Sequence, residues 1–281
     1  MTPKRYLLSA GFFLTTIFSV YFASTSGAQQ AVQPAPAADL QYQIGAILYQ
    51  QKSAEYRALA YQAYNLARWQ LDSDFGKRNL KRLPKAERKM ARAIIVDIDE
   101  TVLDNSPSNA YGAKNNIGFA PKEWYAWGEM RKAKPVPGAV DFLNYAVSKG
   151  VKIFYISNRD EVQKQATIDN LKNAGFKDVS ADNVMLRQSE STKEPRRKAV
   201  AAKYRVVLFM GDNLDDFSDA FERKTVAERF AAVEANHDLW GKKFIVLPNA
   251  MYGTWESAIY NYERLTEAQK AERRAAALEL P

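Results

Sequence analysis

The sequence predicts an α/β protein built on a doubly wound parallel sheet with a smaller helical cap. Short apolar runs rich in β-branched residues alternate with helical patterns along the chain, which is typical of parallel sheets covered by helices. The first of these runs, over 94–96, leads into two carboxylates, Asp97 and Asp99. A long aromatic segment then separates this run from the next helical pattern, and an insertion at the end of a strand predicts a cap.

Residues 1–28 have the pattern of a secretory signal peptide. Two basic residues precede a mostly apolar run over 6–22, and small residues at 26–28 offer a cleavage site. An uncleaved membrane anchor is the alternative, although the run falls a little short of the ~20 apolar residues that a span needs. Residues 29–39, rich in Gln, Pro and Ala, are expected to be a disordered lead-in.

The chain contains no cysteine. It therefore forms no disulfide, and its core must supply the stability of a secreted protein. The acylated cysteine of bacterial lipoproteins is also missing, so no stable membrane anchor is expected after cleavage. The expected location is the periplasm or the outside of the cell.

The composition is that of a folded globular protein. Of the 281 residues, 47% are hydrophobic and 26% are charged, which suffices for one large core or for a core with a small cap. The formal net charge of +8 favours an anionic substrate through electrostatic steering. The basic residues form no stripe interleaved with aromatic residues, so a nucleic-acid polymer is not expected as a partner.

The rest of the chain divides into a helical segment, a core and a tail. Residues 40–90 form the N-terminal helical segment, which is expected to pack with the cap. Apolar side chains recur there at helical spacing over 40–75, and the basic residues that follow are interpreted as a surface connection. The core spans 91–263, and the tail over 264–281 is predicted to be a charged, Ala-rich helix.

The cap insertion covers about 104–134. It is too long for a simple connection between a strand and a helix, which usually has ~2–6 residues. Its aromatic residues are Tyr111, Phe119, Trp124, Tyr125 and Trp127. Most of these rings are expected to form the insertion's own core, and one or two are expected to face the site beneath it.

The remaining core elements alternate between helix and strand. They are a helix at about 138–149, a strand over 151–156, a helix over 160–175, and strands over 184–186, 206–210 and 244–247. A polar loop over 189–197, which includes Lys193, enters a further helix. Because strands and helices alternate, the strands are expected to run parallel.

The two carboxylates after the first strand indicate a functional site. Residues two apart in an extended chain point to the same side, so Asp97 and Asp99 are expected to face one site. One interpretation is a divalent-metal and phosphoryl site, in which one Asp is the nucleophile and the other is the proton donor. The alternative is an ordinary strand exit, in which one Asp caps a turn.

Four polar clusters follow predicted strands. They are Asp97 with Asp99, Ser157 with Asn158, the loop with Lys193, and Asp212 with Asp215 and Asp216. The carboxyl ends of parallel strands meet at one edge of a sheet, where ligands bind. Converging carboxylates repel one another unless a hard cation lies among them, and Mg²⁺ prefers oxygen ligands. The combination favours phosphoryl transfer, with a Ser hydroxyl and a Lys ammonium as donors to phosphate oxygens.

Other phosphoryl-transfer chemistries lack their residues in this chain. Without cysteine there is no thiolate nucleophile, and no P-loop motif occurs. The single histidine, His237, lies in a polar stretch and is expected to be a surface or structural residue. One histidine cannot supply a phosphohistidine pair or a His-rich dinuclear metal site. A carboxylate nucleophile is what remains.

Two motifs carry a resemblance to a known family. Asp97-Ile98-Asp99-Glu100-Thr101-Val102-Leu103 resembles the first motif of the haloacid dehalogenase (HAD) superfamily of phosphatases. Together with Gly211-Asp212-Asn213-Leu214-Asp215-Asp216-Phe217, it resembles the paired signatures of bacterial class C acid phosphatases, which include outer-membrane lipoprotein 5′-nucleotidases. The resemblance runs from about residue 40 to 262 and implies a HAD-like Rossmannoid core. The missing lipoprotein cysteine is a departure from those members.

The resemblance implies a role for each matching catalytic residue. Asp97 would be the nucleophile that forms an aspartyl phosphate, and Asp99 would protonate the leaving alcohol and then activate water. Ser157 and Lys193 would hold the phosphoryl group. The implied cofactor is Mg²⁺, with Asp97, Asp99 (through its backbone carbonyl), Asp212 and Asp216 as the metal-site residues.

The resemblance also implies a small-molecule phosphomonoester as the substrate. Trp124 and Tyr252 match positions that stack the base of a nucleotide, and stacking tolerates different bases. Asn158 and Arg196 are further candidates for substrate contacts, whereas Asp215 fills a variable position and receives no role. Nucleoside monophosphates and aryl phosphates are the expected substrates, and a homodimer is left open.

The predicted function is therefore that of a Mg²⁺-dependent acid phosphatase. One alternative is a non-catalytic surface or periplasmic protein that uses the same fold to bind a ligand. Such a change of function normally removes the nucleophile, whereas Asp97, Asp99 and Asp212 are all present. A HAD phosphotransferase is a second alternative, because it shares the site and differs only in the acceptor.

Overall fold

The computed structural model describes Met1, residues 40–190 and residues 192–281. Apart from Met1, these residues belong to one unit that spans 37–281. The predicted signal peptide beyond Met1 and the predicted lead-in lie outside the described residues. Within the part of the chain that is described, no helix has both the length and the apolar character needed to cross a bilayer.

A parallel sheet forms the centre of the protein. The strands are β1 (Arg92–Val96), β2 (Leu103–Asp104), β3 (Lys134–Pro135), β4 (Lys152–Asp160), β5 (Val184–Arg187), β6 (Arg205–Gly211) and β7 (Phe244–Val246). Five of them form the parallel sheet, in the order β5-β4-β1-β6-β7. The short β2 and β3 pair antiparallel and close the base of the cap.

Helices cover both faces of this sheet. They are α1 (Ile44–Lys52), α2 (Ala54–Asp74), α3 (Lys77–Arg82), α4 (Ser106–Asn115), α5 (Pro121–Met130), α6 (Ala139–Ser148), α7 (Lys164–Asn173), α8 (Glu194–Ala201), α9 (Val226–Ala235), α10 (Thr254–Ile259) and α11 (Glu267–Ala276). The cap lies between β2 and β3 in the chain and consists mainly of α4 and α5. The predicted doubly wound α/β fold with a smaller helical cap is therefore confirmed.

Alternate side chains of β1 enter two separate cores. Ile94 and Val96 pack in the larger core, which α2, α6 and α7 cover. Ala93 and Ile95 pack on the opposite face with Val200 of α8. Because side chains alternate along a strand, one apolar run fills both faces.

The N-terminal helices make two different sets of contacts. α1 contacts α4 of the cap, whereas α2 packs on the sheet and on α6. The contact of the N-terminal segment with α4 of the cap is thus made mainly by α1. The buried face of α2 carries Ala60, Ala63 and Ala67, whose small side chains let the helix approach the sheet closely.

β4 is longer than the sequence predicts. It continues past Ile156 to Asp160, so Ser157, Asn158 and Arg159 lie within the strand and not in the loop after it. The pairing with β5 becomes irregular between Ile156 and Asp160. Alternation along this extension buries Ser157 and Arg159 and exposes Asn158, which places two polar side chains on the inner side of the site.

Candidate active site

Three neighbouring strands bring the predicted residues to one edge of the sheet. Asp97 follows β1, Ser157 lies near the end of β4, and Asp212 follows β6, and β1 pairs with both of the other strands. The carboxyl edge of an open α/β sheet is where such folds bind ligands.

Asp97, Asp212 and Asp216 form a carboxylate triad. One oxygen of each residue lies within 4.8 Å of the others. Asp97 and Asp216 are only 7% and 6% exposed, so water screens their mutual repulsion poorly. The close approach of Asp216 depends on Gly211, where any Cβ would overlap the Asp216 carboxyl group.

Lys193 is the cation that contacts this triad. It immediately precedes α8, and its Nζ donates to Asp216 Oδ1 (2.6 Å) and to Asp97 Oδ1. Burial opposes its charge, but the carboxylates of Asp216 and Asp97 outweigh burial and raise the pKa of Lys193. One ammonium against three carboxylates leaves two negative charges in excess when all four groups are ionised.

Burial and neighbouring carboxylates favour the neutral forms of Asp97 and Asp212. Burial raises the pKa of Asp97 well above its usual range, and Lys193 opposes that shift only in part. Burial and the Asp216 carboxylate raise the pKa of Asp212 to about 7. Buried oxygen ligands with uncompensated negative charge are the donor set that a hard divalent cation requires, so the triad fits a metal ion.

Asp212 is oriented by two residues that the sequence analysis did not single out. Thr101 Oγ1 donates to Asp212 Oδ1 (2.9 Å), and Asn249 Nδ2 donates to Asp212 Oδ2 (2.9 Å). Hydrogen bonds to the ligands of a metal fix their direction. Thr101 lies inside the first quoted motif and Asn249 follows the last strand, β7, but only the fold shows which carboxylate they contact.

Asp99 lies beside the triad and contacts a separate cation. Arg159 Nη2 and Nε donate to Asp99 Oδ1 at 2.8 and 3.0 Å. Asn105 Nδ2 donates to the same oxygen (2.8 Å), and Ser157 Oγ donates to Asp99 Oδ2 (3.1 Å). Sequence reasoning missed Arg159 and Asn105, because their partner lies elsewhere in the chain.

The family follows from the match to known proteins. Residues 18–255 match the family described as HAD superfamily, subfamily IIIB (acid phosphatase). The chain belongs to this family. The phosphatase is similar to the class C acid phosphatase of Bacillus anthracis, with 39% identity, a TM-score of 0.80, and coverage of 86% of this chain and 98% of that one. The structure of that enzyme with tungstate bound matches with 40% identity, a TM-score of 0.79 and the same coverage, 86% and 98%.

A plant acid phosphatase is a more distant relative. Acid phosphatase 1 of Solanum lycopersicum is 30% identical over 133 residues, which are 43% of this chain and 50% of that protein. The match thus spans half the length of the plant relative. Together with the bacterial structures, the family match confirms the predicted family and the predicted enzyme class, a phosphoric monoester hydrolase.

Asn158 and Arg196 contact each other at the end of β4. Arg196 Nη1 donates to the backbone carbonyl of Ser157 (2.6 Å), and Nη2 donates to Asn158 Oδ1 (2.9 Å). Nη1 also donates to the carbonyl of Met185, and Nε lies 2.8 Å from Glu190 Oε1. Arg196 therefore positions the end of β4, and the contacts of Asn158 and Arg196 with a substrate stay a prediction.

The two aromatic residues predicted to bind substrate lie near different site residues. The Trp124 ring centre is 5.2 Å from the guanidinium of Arg159 and 6.5 Å from the ring centre of Phe119. The Tyr252 hydroxyl donates to Glu100, whose pKa is raised by burial. Both rings border the acidic site, and their stacking on a substrate stays a prediction.

Asp215 stands apart from the triad. Its carboxylate accepts from Thr254 Oγ1 (3.2 Å) and from Arg229 Nη1 (3.2 Å). These contacts connect the loop after β6 to α9 and α10.

Proposed function

We propose that this acid phosphatase hydrolyses phosphomonoesters with the help of one Mg²⁺ ion and through a phosphorylated Asp97. The observation that supports this proposal is the triad of Asp97, Asp212 and Asp216, whose negative charge Lys193 offsets only in part. The triad and the backbone carbonyl of Asp99 would hold the ion. Such an ion would reduce the repulsion between the carboxylates and an incoming phosphate dianion.

In the first step, Asp97 attacks the phosphorus atom. A new bond forms between an Asp97 carboxylate oxygen and phosphorus, and the ester bond from phosphorus to the leaving oxygen breaks. The leaving oxygen takes the electron pair and receives a proton from the Asp99 carboxyl group, so an alcohol departs. Asp99 contacts Ser157 of β4, and it is therefore adjacent to the side chain that would donate to the phosphoryl group.

In the second step, the aspartyl phosphate is hydrolysed. Asp99, now a carboxylate, removes a proton from the attacking water as its oxygen bonds to phosphorus. The bond between phosphorus and Asp97 breaks, which restores the Asp97 carboxylate and releases inorganic phosphate. Lys193 would donate to a phosphoryl oxygen while it stays near Asp97, and this interaction stabilises the charge of the transition state.

Nucleoside monophosphates and aryl phosphates are the proposed substrates. Trp124 and Tyr252 offer aromatic surface next to the acidic residues. The relative from Bacillus anthracis was solved with tungstate, which is a tetrahedral oxyanion like phosphate. The net charge of +8 also favours anionic substrates.

Substitution of Trp124 by Ala is expected to discriminate between substrates. Loss of a stacked ring costs about 1–3 kcal/mol per base, so kcat/KM for a nucleoside monophosphate should fall about tenfold more than kcat/KM for a sugar phosphate. Tyr111→Ala is the matched control, since Tyr111 is a 59% exposed ring on the other cap helix. Equal losses on both substrates would show that Trp124 does not stack a base.

Chelation tests the metal requirement of the proposed function. Treatment with EDTA should reduce phosphatase turnover by about 100-fold or more, because the triad then keeps its excess charge, and added Mg²⁺ should restore the rate. EDTA that has been saturated with Mg²⁺ beforehand is the control for side effects of the chelator. Full turnover by a metal-free sample would refute the proposal.

A further inference from the structure

We infer that helix α5 of the cap sets the orientation of the Asp99 carboxylate through two positioning residues, Asn105 and Arg159. Trp127 of α5 makes the contact that fixes Asn105. The inference rests on the proposed function, in which Asp99 gives a proton to the leaving oxygen. It adds a link from the cap to that proton transfer.

The two oxygens of the Asp99 carboxylate accept hydrogen bonds of different length. Oδ1 accepts three short hydrogen bonds, from Arg159 Nη2 (2.8 Å), Arg159 Nε (3.0 Å) and Asn105 Nδ2 (2.8 Å). Oδ2 has longer contacts, with Ser157 Oγ (3.1 Å) and Arg159 Nε (3.2 Å). Since Oδ1 is occupied by N–H donors, Oδ2 is the oxygen that remains available for proton transfer.

Asn105 transmits the position of the cap to this carboxylate. Its side chain is fully buried, and both ends of its amide group are used: Nδ2 donates to Asp99, and Oδ1 accepts from Trp127 Nε1 (2.8 Å). The indole N–H is the shorter of two donors to this oxygen, since Arg159 Nη2 lies at 3.3 Å, and both favour the orientation in which Nδ2 faces Asp99. Loss of the indole donor leaves the oxygen with the longer bond alone, which weakens the hold on that orientation.

Arg159 gives a second connection to the same helix. Its guanidinium lies 5.2 Å from the ring centre of Trp124 and also donates to Asn105 Oδ1 (3.3 Å). Its side chain is only 2% exposed, so its orientation is restricted by these contacts and by Thr167, which accepts from Nη1 (3.2 Å). Asn105 and Arg159, the two residues that bond Oδ1 of Asp99, thus both contact α5.

Tyr125 provides a matched control on the same helix. Its hydroxyl donates to Asp160 Oδ2 (2.5 Å), and Asp160 pairs with Arg187. This hydrogen bond joins the cap to the end of β4, as the Trp127 bond joins it to Asn105, but it makes no connection to Asp99. Tyr125→Phe therefore removes one bond between cap and core and leaves the positioning of Asp99 intact.

The experiment compares Trp127→Phe with Tyr125→Phe on two substrates in the Mg²⁺-loaded enzyme. The nitrophenolate of p-nitrophenyl phosphate leaves without protonation, whereas the alkoxide of glycerol phosphate needs a general acid, whose contribution is typically about 10²–10⁴-fold. Because kcat/KM reports only the steps up to departure of the leaving group, Trp127→Phe should lower kcat/KM for glycerol phosphate about tenfold and kcat/KM for p-nitrophenyl phosphate less than about threefold. Tyr125→Phe should change both rates by the same factor.

The outcome separates positioning from packing. If Trp127→Phe lowers both rates equally, the inference is overturned, because loss of packing alone does not depend on the leaving group. Asn105→Ser tests the same link if Trp127→Phe unfolds, and circular dichroism reports the fold of each variant. Asp97→Asn, measured alongside, tests the proposed function separately. If that variant hydrolyses both substrates, Asp97 is not the nucleophile, and this conclusion does not depend on how Trp127→Phe affects the two substrates.

Discussion

Asp97→Asn is expected to lose phosphatase activity while it keeps its fold. Asparagine has nearly the same shape as aspartate, but its amide does not attack phosphorus, so kcat should fall by about 10⁴-fold or more. The substitution also removes one of the three carboxylates of the triad, and Lys193 keeps its bond to Asp216. The thermal midpoint without added cation should therefore stay the same or rise.

Steady-state assays with p-nitrophenyl phosphate and circular dichroism measure both parts of this expectation. Asp141→Asn on the exposed side of α6 is the matched control, and it should behave like the wild type. A kcat of Asp97→Asn within about tenfold of the wild-type value would remove Asp97 from the reaction.

Lys193→Met is expected to cause the largest loss of stability. Removal of one partner of a buried ion pair costs about 3–5 kcal/mol, because it leaves an uncompensated charge, and Lys193 is the partner of both Asp97 and Asp216. Lys198→Met is the matched control, since Lys198 lies on the same helix with 73% of its side chain exposed. Its free energy of unfolding should change by less than about 1 kcal/mol.

The decrease in the free energy of unfolding caused by Lys193→Met should depend on pH and on Mg²⁺. Burial raises the pKa of Asp97, and burial with Asp216 raises that of Asp212 to about 7, above the usual value in an unfolded chain, about 3.9. Groups with a raised pKa favour the folded state at low pH and oppose it as pH rises. The deficit measured by urea unfolding should thus be smaller near about pH 5 than near about pH 8, and Mg²⁺ should reduce it. A deficit that is equal to that of Lys198→Met would contradict the charge account of the site.

The sheet could be predicted because its strands are short apolar runs with turn signals around them. The run over 94–96 contains no polar residue, and the structure buries it on both faces. The end of β4 was not predictable in the same way, since Ser157, Asn158 and Arg159 are polar. They continue the strand because burial and bonding to distant residues outweigh local strand propensity.

The helices α3 and α9 were missed for different reasons. α3 lies in the basic stretch that the sequence analysis interprets as a surface connection, and none of its residues is buried, so no apolar period marks it. α9 carries a local signal that was not used: Thr225 and Glu228 form a capping box at its start. A search for this pattern would have placed a helix between the last two strands.

The acidic residues of the site were predictable, but their partners were not. Asp97, Asp99 and Asp212 stand in short motifs at strand ends. By contrast, Arg159 follows Asp99 by 60 positions, and the assignment of such a pair requires the register of β1 against β4. Arg196 was singled out from the sequence because its charge and position favour a phosphate contact. In the fold its N–H groups donate to Ser157 and Asn158, and the sequence gives no sign of these contacts.

Direct binding of Mg²⁺ tests the central claim that the triad holds a divalent cation. Calorimetric titration of the metal-free wild type should show one ion per chain, with an affinity that falls as pH decreases through about 7, where Asp212 takes up a proton. Asp212→Asn should weaken binding by about tenfold or more. Asp215→Asn should bind like the wild type, because the Asp215 carboxylate contacts Arg229 and Thr254 and is not part of the triad. Absence of Mg²⁺ binding to the wild type, or equal affinity in Asp212→Asn, would contradict the account.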